Sequence, residues 1–136
     1  MRSEQIMLLA GLALLAACAP ASPPAAAAPA PGRVDVATFK ATGAPRRCIP
    51  LRNTQLTGAG DNHAMARSGA NRWWRNELRT RCPAMSRNHT IVLRTTTGQM
   101  CDMDMFEIID PVSRMSFGSC SLGMFTPVEV PRGASW

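Results

Sequence analysis

From about residue 46 onward, short runs of alternating apolar and polar residues recur between turn-forming residues, while convincing helical periodicity is scarce. Strand side chains alternate between two faces, so this pattern predicts a small antiparallel β fold. "CIPLRNTQL" reads as one strand, closed by the turn-rich "TGAGDN". "HAMAR" and "NRWWR" flank "SGA", the pattern of a hairpin with a short glycine-containing loop. "HTIVLRTT" is a β-branched strand ending at a Thr97-Gly98 turn, and "MCDMDMFEIID" and "RMSFGSCSLGMF" are two more around "PVS". "NELRTRCPAM" is the one candidate for a helical turn, limited by Pro83. The expectation is a mainly β domain, a small antiparallel barrel or sandwich of five to six strands, with the two architectures not separable by pattern.

A different pattern opens the chain. Met1 and Arg2 precede "IMLLAGLALL", an apolar run of about ten residues at positions 6–15, too short to span a bilayer as a helix of about 20. Leu15-Ala16-Ala17-Cys18 resembles the lipobox of bacterial lipoproteins: an aliphatic residue, two small ones, then cysteine. The resemblance implies a signal peptide over 1–17, a diacylglyceryl thioether on Cys18, and an amino group acylated by a fatty acid such as palmitate. At about 0.8 kcal/mol per buried CH2, several acyl chains make a lasting anchor. With Ala19 following the cysteine, the expected address is the outer membrane facing the periplasm. A soluble periplasmic protein, cut after Ala19-Pro20-Ala21, is the alternative.

After Cys18 comes "CAPASPPAAAAPAPG", too poor in large side chains to offset its ordering entropy, so 18–45 reads as a semi-rigid tether. The predicted domain is 46–132, with 133–136 as a tail. About 90 residues give a marginal core, and the four remaining cysteines, Cys48, Cys82, Cys101 and Cys120, predict two stabilising disulfides in an oxidising compartment. Three connectivities are open. Cys48–Cys120, tying the first and last strands, with Cys82–Cys101, is the working expectation. Zinc is set aside, because the chain has no C-x-x-C pair and no histidine at ligand spacing.

Charge is uneven. The net charge is +6, and residues 46–94 hold ten arginines against Asp61 and Glu77. Such a half suits an envelope protein with an acidic face, anionic lipid or lipopolysaccharide phosphate, whereas nucleic acid is excluded by the compartment. Arg72, Trp73, Trp74 and Arg75 are the residues on which a partner surface is expected.

Candidate chemistry is thin. In "MCDMDM", an unbroken strand would put Cys101, Met103 and Met105 on one face, a soft-sulfur set suited to Cu(I). A disulfide at Cys101 removes the best ligand, and methionine is an ordinary core filler. Asp61, His63 and Ser68 allow a nucleophile set to be imagined, yet no G-x-S-x-G elbow positions the serine. Asp102, Asp104, Glu107 and Asp110 lack calcium-loop spacing, so a solvated strand face explains them. No catalytic residue and no cofactor is assigned.

"RCIPL", "WWRNELRTRCPAM", "MCDMDMFEIID" and "CSLGMFTPVEV" together resemble a family of small proteobacterial exported proteins of unknown function. That family's blocks are Cys-Ile, an aromatic-x-Asn-x-Leu segment before Cys-Pro, Leu-Cys-x-Gly-Asp, and Cys-x-Leu-Gly-x-Phe-x-Pro. They fall on Cys48-Ile49; Trp74, Asn76, Leu78 and Cys82-Pro83; Cys101 and Asp104; and Cys120, Leu122, Gly123, Phe125 and Pro127. Met100 stands where the family has Leu, and Met103 where it has Gly. The resemblance implies no activity. The reading is a cell-envelope lipoprotein domain acting as a non-catalytic binding or assembly module. Copper binding through Met103 and Met105, or an uncharacterised periplasmic enzyme, are the alternatives.

Overall fold

The computed structural model describes residues 32–85 and 88–136. Among them are nine strands: β1 (Cys48–Pro50), β2 (Thr54–Gly58), β3 (His63–Ser68), β4 (Arg72–Glu77), β5 (Thr90–Leu93), β6 (Gln99–Cys101), β7 (Met105–Ile109), β8 (Ser116–Ser121) and β9 (Phe125–Val128). They form a four-stranded sheet β2-β3-β4-β9, a three-stranded sheet β5-β7-β8, and the pair β1-β6. Every pairing is antiparallel. The sheets do not close into a barrel, so the fold is sandwich-like.

The β3–β4 hairpin forms where the alternation predicts it, with Gly69 at φ 66° in the connection and Ser68 opposite Arg72. Three other runs divide into two strands each, which raises the strand count above five or six. "CIPLRNTQL" breaks at Asn53, whose φ is 57°, and the Thr54 N–H returns to the Leu51 carbonyl at 3.0 Å. "MCDMDMFEIID" breaks at Met103, φ 75°, and the Asp104 N–H bonds the Cys101 carbonyl at 3.2 Å. "RMSFGSCSLGMF" leaves the three-stranded sheet at Ser121, and its remainder joins the four-stranded sheet as β9 from Phe125. "NELRTRCPAM" forms no helix. Its backbone is tied to the neighbouring loop, Leu78 N–H to Asn62 C=O at 2.9 Å and Cys82 N–H to Asp61 C=O at 2.7 Å.

Both faces of the four-stranded sheet are covered. Ala64, Ala66, Trp74 and Phe125 pack in the main core with Ile49, Met100, Phe106, Ile108 and Leu122. Met65 and Val128, one residue out of phase with that set, pack against Val36 and Phe39, 2% and 5% exposed. Burying two such side chains stabilises by about 1.5–3 kcal/mol each. Val36–Thr38 is a single 3-10 turn whose cap, Asp35, accepts the Ala37 N–H at 2.9 Å. Trp136 meets Trp73 edge-on at 5.3 Å and Phe39 at 6.1 Å, and the Val34 N–H bonds the Ser135 carbonyl at 2.8 Å. The domain bounds of 46–132 are therefore too narrow. Residues 33–45 and 133–136 are the layer that covers the sheet's second face, not tether and tail.

The two disulfides are Cys48–Cys101 and Cys82–Cys120. This corrects the expected Cys48–Cys120 and Cys82–Cys101 pairing. β1 pairs with β6, which puts Cys48 directly opposite Cys101 at a Cα separation of 4.0 Å. Cys120, on β8 opposite Phe106, is left to the loop that carries Cys82.

Candidate functional site

The four residues expected to form a partner surface do not share one. Adjacent positions on β4 face opposite ways, so Arg72 and Trp74 belong to one face and Trp73 and Arg75 to the other. Trp74 is a core residue, 6% exposed, with the Arg46 guanidinium 5.8 Å from its ring centroid. Arg75 is occupied: its Nη1 donates to the carbonyls of Val36, Ala37 and Phe39 at 3.2, 2.8 and 3.2 Å. It is a clamp on the N-terminal turn. Arg72 is exposed, and Trp73 is half-buried against Trp136.

The sulfur and carboxylate candidates are also separated. The turn at Met103 removes the single strand face on which Cys101, Met103 and Met105 were to lie. Cys101 is in a disulfide, and Met103 and Met105 are 60% and 54% exposed. Asp102 joins Arg47 at 3.1 Å and Arg79 at 3.3 Å. The Asp104 carboxylate accepts the Cys101 N–H at 2.7 Å, and Glu107 lies 3.6 Å from Arg94. Asp110 accepts the N–H groups of Ser113 and Val112, which hold its carboxyl below the usual range. The Asp61 carboxylate is taken by Arg81 at 2.7 Å, and His63 and Ser68 stand at opposite ends of β3. None of these sets converges on a common point.

What the structure does bring together is a cleft of about 700 Å3 between two sheet edges. Strand order leaves β2 at one edge of the four-stranded sheet and β5 at one edge of the three-stranded sheet. The two approach without pairing. The cleft wraps around the β2 edge, lined by Leu51, Leu56, Ile91, Leu93 and Met100 on the main-core face of the four-stranded sheet and by Trp73, Trp136 and Arg67 on the opposite face. Apart from Met100, these apolar side chains are half-buried. The Arg67 guanidinium lies 5.5 Å from the Trp73 centroid and donates from Nη2 and Nε to the Ala70 carbonyl at 2.9 and 3.3 Å. His89 also lines the cleft; its ring stacks on Phe117 at 4.5 Å, with Nδ1 2.7 Å from the Ala84 carbonyl. No aspartate or glutamate side chain lines it among the described residues.

Concavities with placed polar groups are the usual form of a binding site, and this one is lined by polar and apolar surface in about equal share. Of its residues, Trp73 alone belongs to the expected partner surface. Trp136 had been assigned to a tail, and the β2–β5 juxtaposition is a property of topology, with no local signal. Cys18, the signal segment 1–17 and residues 18–31 of the tether lie outside the described residues. Among the described residues, no helix is long and apolar enough to cross a membrane.

No curated protein and no solved structure matches the chain. A family model does match, over residues 1–131. The segments it spans include all four cysteines of the disulfides, the β2–β5 edges, and every strand from β1 to β9. The chain belongs to the family of unknown function DUF6491.

Proposed function

We propose that the protein is a cell-envelope lipoprotein, anchored through Cys18, whose domain is a non-catalytic binding module that uses the cleft between β2 and β5. The observation that carries the binding reading is that cleft, which wraps around the β2 edge: half-buried Leu51, Leu56, Ile91 and Leu93 line it on the main-core face of the sheet, and Trp73 and Trp136 on the opposite face. Apolar surface left in contact with water at a concave site is released from it by a ligand. Asp61 is engaged with Arg81 and the four domain cysteines with one another. The anchor is supported by Leu15-Ala16-Ala17-Cys18 and the Pro/Ala-rich segment that follows.

Two measurements test this reading. Titration with the apolar dye 1-anilinonaphthalene-8-sulfonate should produce saturable binding and change tryptophan emission. Thr90→Trp and Gln55→Trp, at exposed strand positions beside the cleft, should abolish it without changing the melting temperature. Dye binding that survives both substitutions refutes the cleft. For the anchor, Cys18→Ser should move the protein from the membrane to the soluble fraction, and the intact mass should carry acyl chains on Cys18. An unacylated, soluble wild type would assign it to the periplasm instead.

A further inference from the structure

We propose that the occupant of the cleft is an extended segment of a partner protein, added as a further strand on the free edge of β2 and carrying a carboxylate that meets Arg67. The proposal rests on the binding reading above and names the chemistry of its ligand.

The phase of the ladder is fixed by two hydrogen bonds. The Ala59 N–H bonds the His63 carbonyl at 2.9 Å, and the Gly69 N–H bonds the Asn53 carbonyl at 3.0 Å. In an antiparallel pair, alternate residues exchange these bonds. Asn53, Gln55, Thr57 and Ala59 thus turn their backbone groups toward β3, whereas Thr54 and Leu56 turn theirs away, into the cleft. The Thr54 N–H is satisfied by Leu51. The N–H and C=O of Leu56 have no protein partner among the described residues. A hydrocarbon ligand would leave them unpaired and cut off from water, which is costly; a peptide backbone pairs with both.

The lining fits the same occupant. Side chains of an added strand alternate between the two faces of the sheet it joins. The cleft wraps around β2 in that way, with Thr54 and Leu56 on one face and Gln55, Thr57, Arg67 and Trp73 on the other. Five residues of β2 offer about 17 Å of edge. That edge has none of the usual protection, for "TQLTG" contains no charge and no proline.

Charge selects among peptides. Arg67 has no carboxylate side chain as partner among the described residues, and no aspartate or glutamate lines the cleft. A second copy pairing through its own β2 or β5 does not supply the missing group, since neither "TQLTG" nor "TIVL" carries an acid. A partner segment of alternating apolar residues with one Asp or Glu, or a C-terminal carboxylate, does.

The test uses the mature full-length chain in detergent and a phage-displayed random heptapeptide library as the probe. Selected peptides should alternate apolar residues and share an acid. N-methylation of synthetic copies at every second backbone position should weaken binding about tenfold or more, with the intervening positions tolerant. Arg67→Gln should weaken the acidic peptide about tenfold and leave its Asn or Gln analogue unchanged. N-methyl effects without alternation, an Arg67→Gln variant that binds acid and amide alike, or no selected peptide would each overturn the proposal. So would a monomer–dimer equilibrium that the peptides displace, because it gives the edge to a second copy. If the dye binds and peptides do not, strand addition falls while the binding cleft stands; if neither binds, both fall.

Discussion

Replacing Asn76 with alanine should destabilise the domain more than any single surface change, and the cost can be worked out group by group. Asn76 is 0% exposed on β4, and its side chain reads the backbone of Gly123 twice. Nδ2 donates to the Gly123 carbonyl at 2.7 Å, and Oδ1 accepts the Gly123 N–H at 3.0 Å. Truncation leaves both backbone groups buried without a partner, at about 1–3 kcal/mol each, and opens a small void. The total is about 2–6 kcal/mol, a large part of the roughly 5–15 kcal/mol that stabilises a typical domain. At about 4 °C per kcal/mol for a domain of this size, the melting temperature should fall by about 8–24 °C. Asn76→Asp should also destabilise at neutral pH, where a carboxylate would face the Gly123 carbonyl. That loss should shrink as the pH falls and the carboxyl becomes a donor. Thermal unfolding followed by circular dichroism, across a pH series, measures both. A loss for Asn76→Ala below about 1 kcal/mol, or an Asn76→Asp deficit that does not depend on pH, would refute the reasoning.

Met103→Gly should raise stability by about 1 kcal/mol, because Met103 occupies a φ of 75° that glycine adopts without strain; a denaturant midpoint that does not rise would contradict this. Arg75→Gln should cost about 2 kcal/mol by releasing three carbonyls of the N-terminal turn, while Arg72→Gln on the same strand should stay within about 0.5 kcal/mol; equal effects in chemical denaturation would undo the clamp. Asp110 has its carboxyl lowered by the backbone N–H groups of Ser113 and then Val112, so its ionised form contributes stability above the unfolded carboxyl's range. That contribution is lost as the pH falls through the folded value. Asp110→Asn should therefore melt below wild type at neutral pH, with the gap closing in acid.

The β3–β4 hairpin was legible because its two alternating runs end at a glycine turn, where pattern and turn chemistry agree. The breaks at Asn53 and Met103 were not, because hydrophobic alternation continues across a turn made by a non-glycine residue at positive φ. Val36 and Phe39 were hidden by the Ala/Pro bias just upstream, although they seal one face of the four-stranded sheet. The disulfide pairing depends on β1 meeting β6, 53 residues apart between the cysteines, which no local signal encodes. The blocks that carry the family resemblance turn out to meet in space. Asn76 binds Gly123, Cys82 bonds Cys120, Cys48 bonds Cys101, and Asp104 accepts the Cys101 N–H. They encode the fold. The cleft is lined mainly by residues outside those blocks, which is why the blocks say little about what it binds.

The two disulfides enclose overlapping stretches, 48–101 and 82–120, and this gives the domain a covalent redundancy. A backbone scission between Cys48 and Cys82 leaves its two pieces joined through Cys48–Cys101. One between Cys101 and Cys120 leaves them joined through Cys82–Cys120, and one between Cys82 and Cys101 is spanned by both bonds. Any single cut from Cys48 to Cys120 thus yields a nicked molecule that stays in one piece until it is reduced. Such a molecule keeps both edges of its cleft attached to each other after the first cleavage.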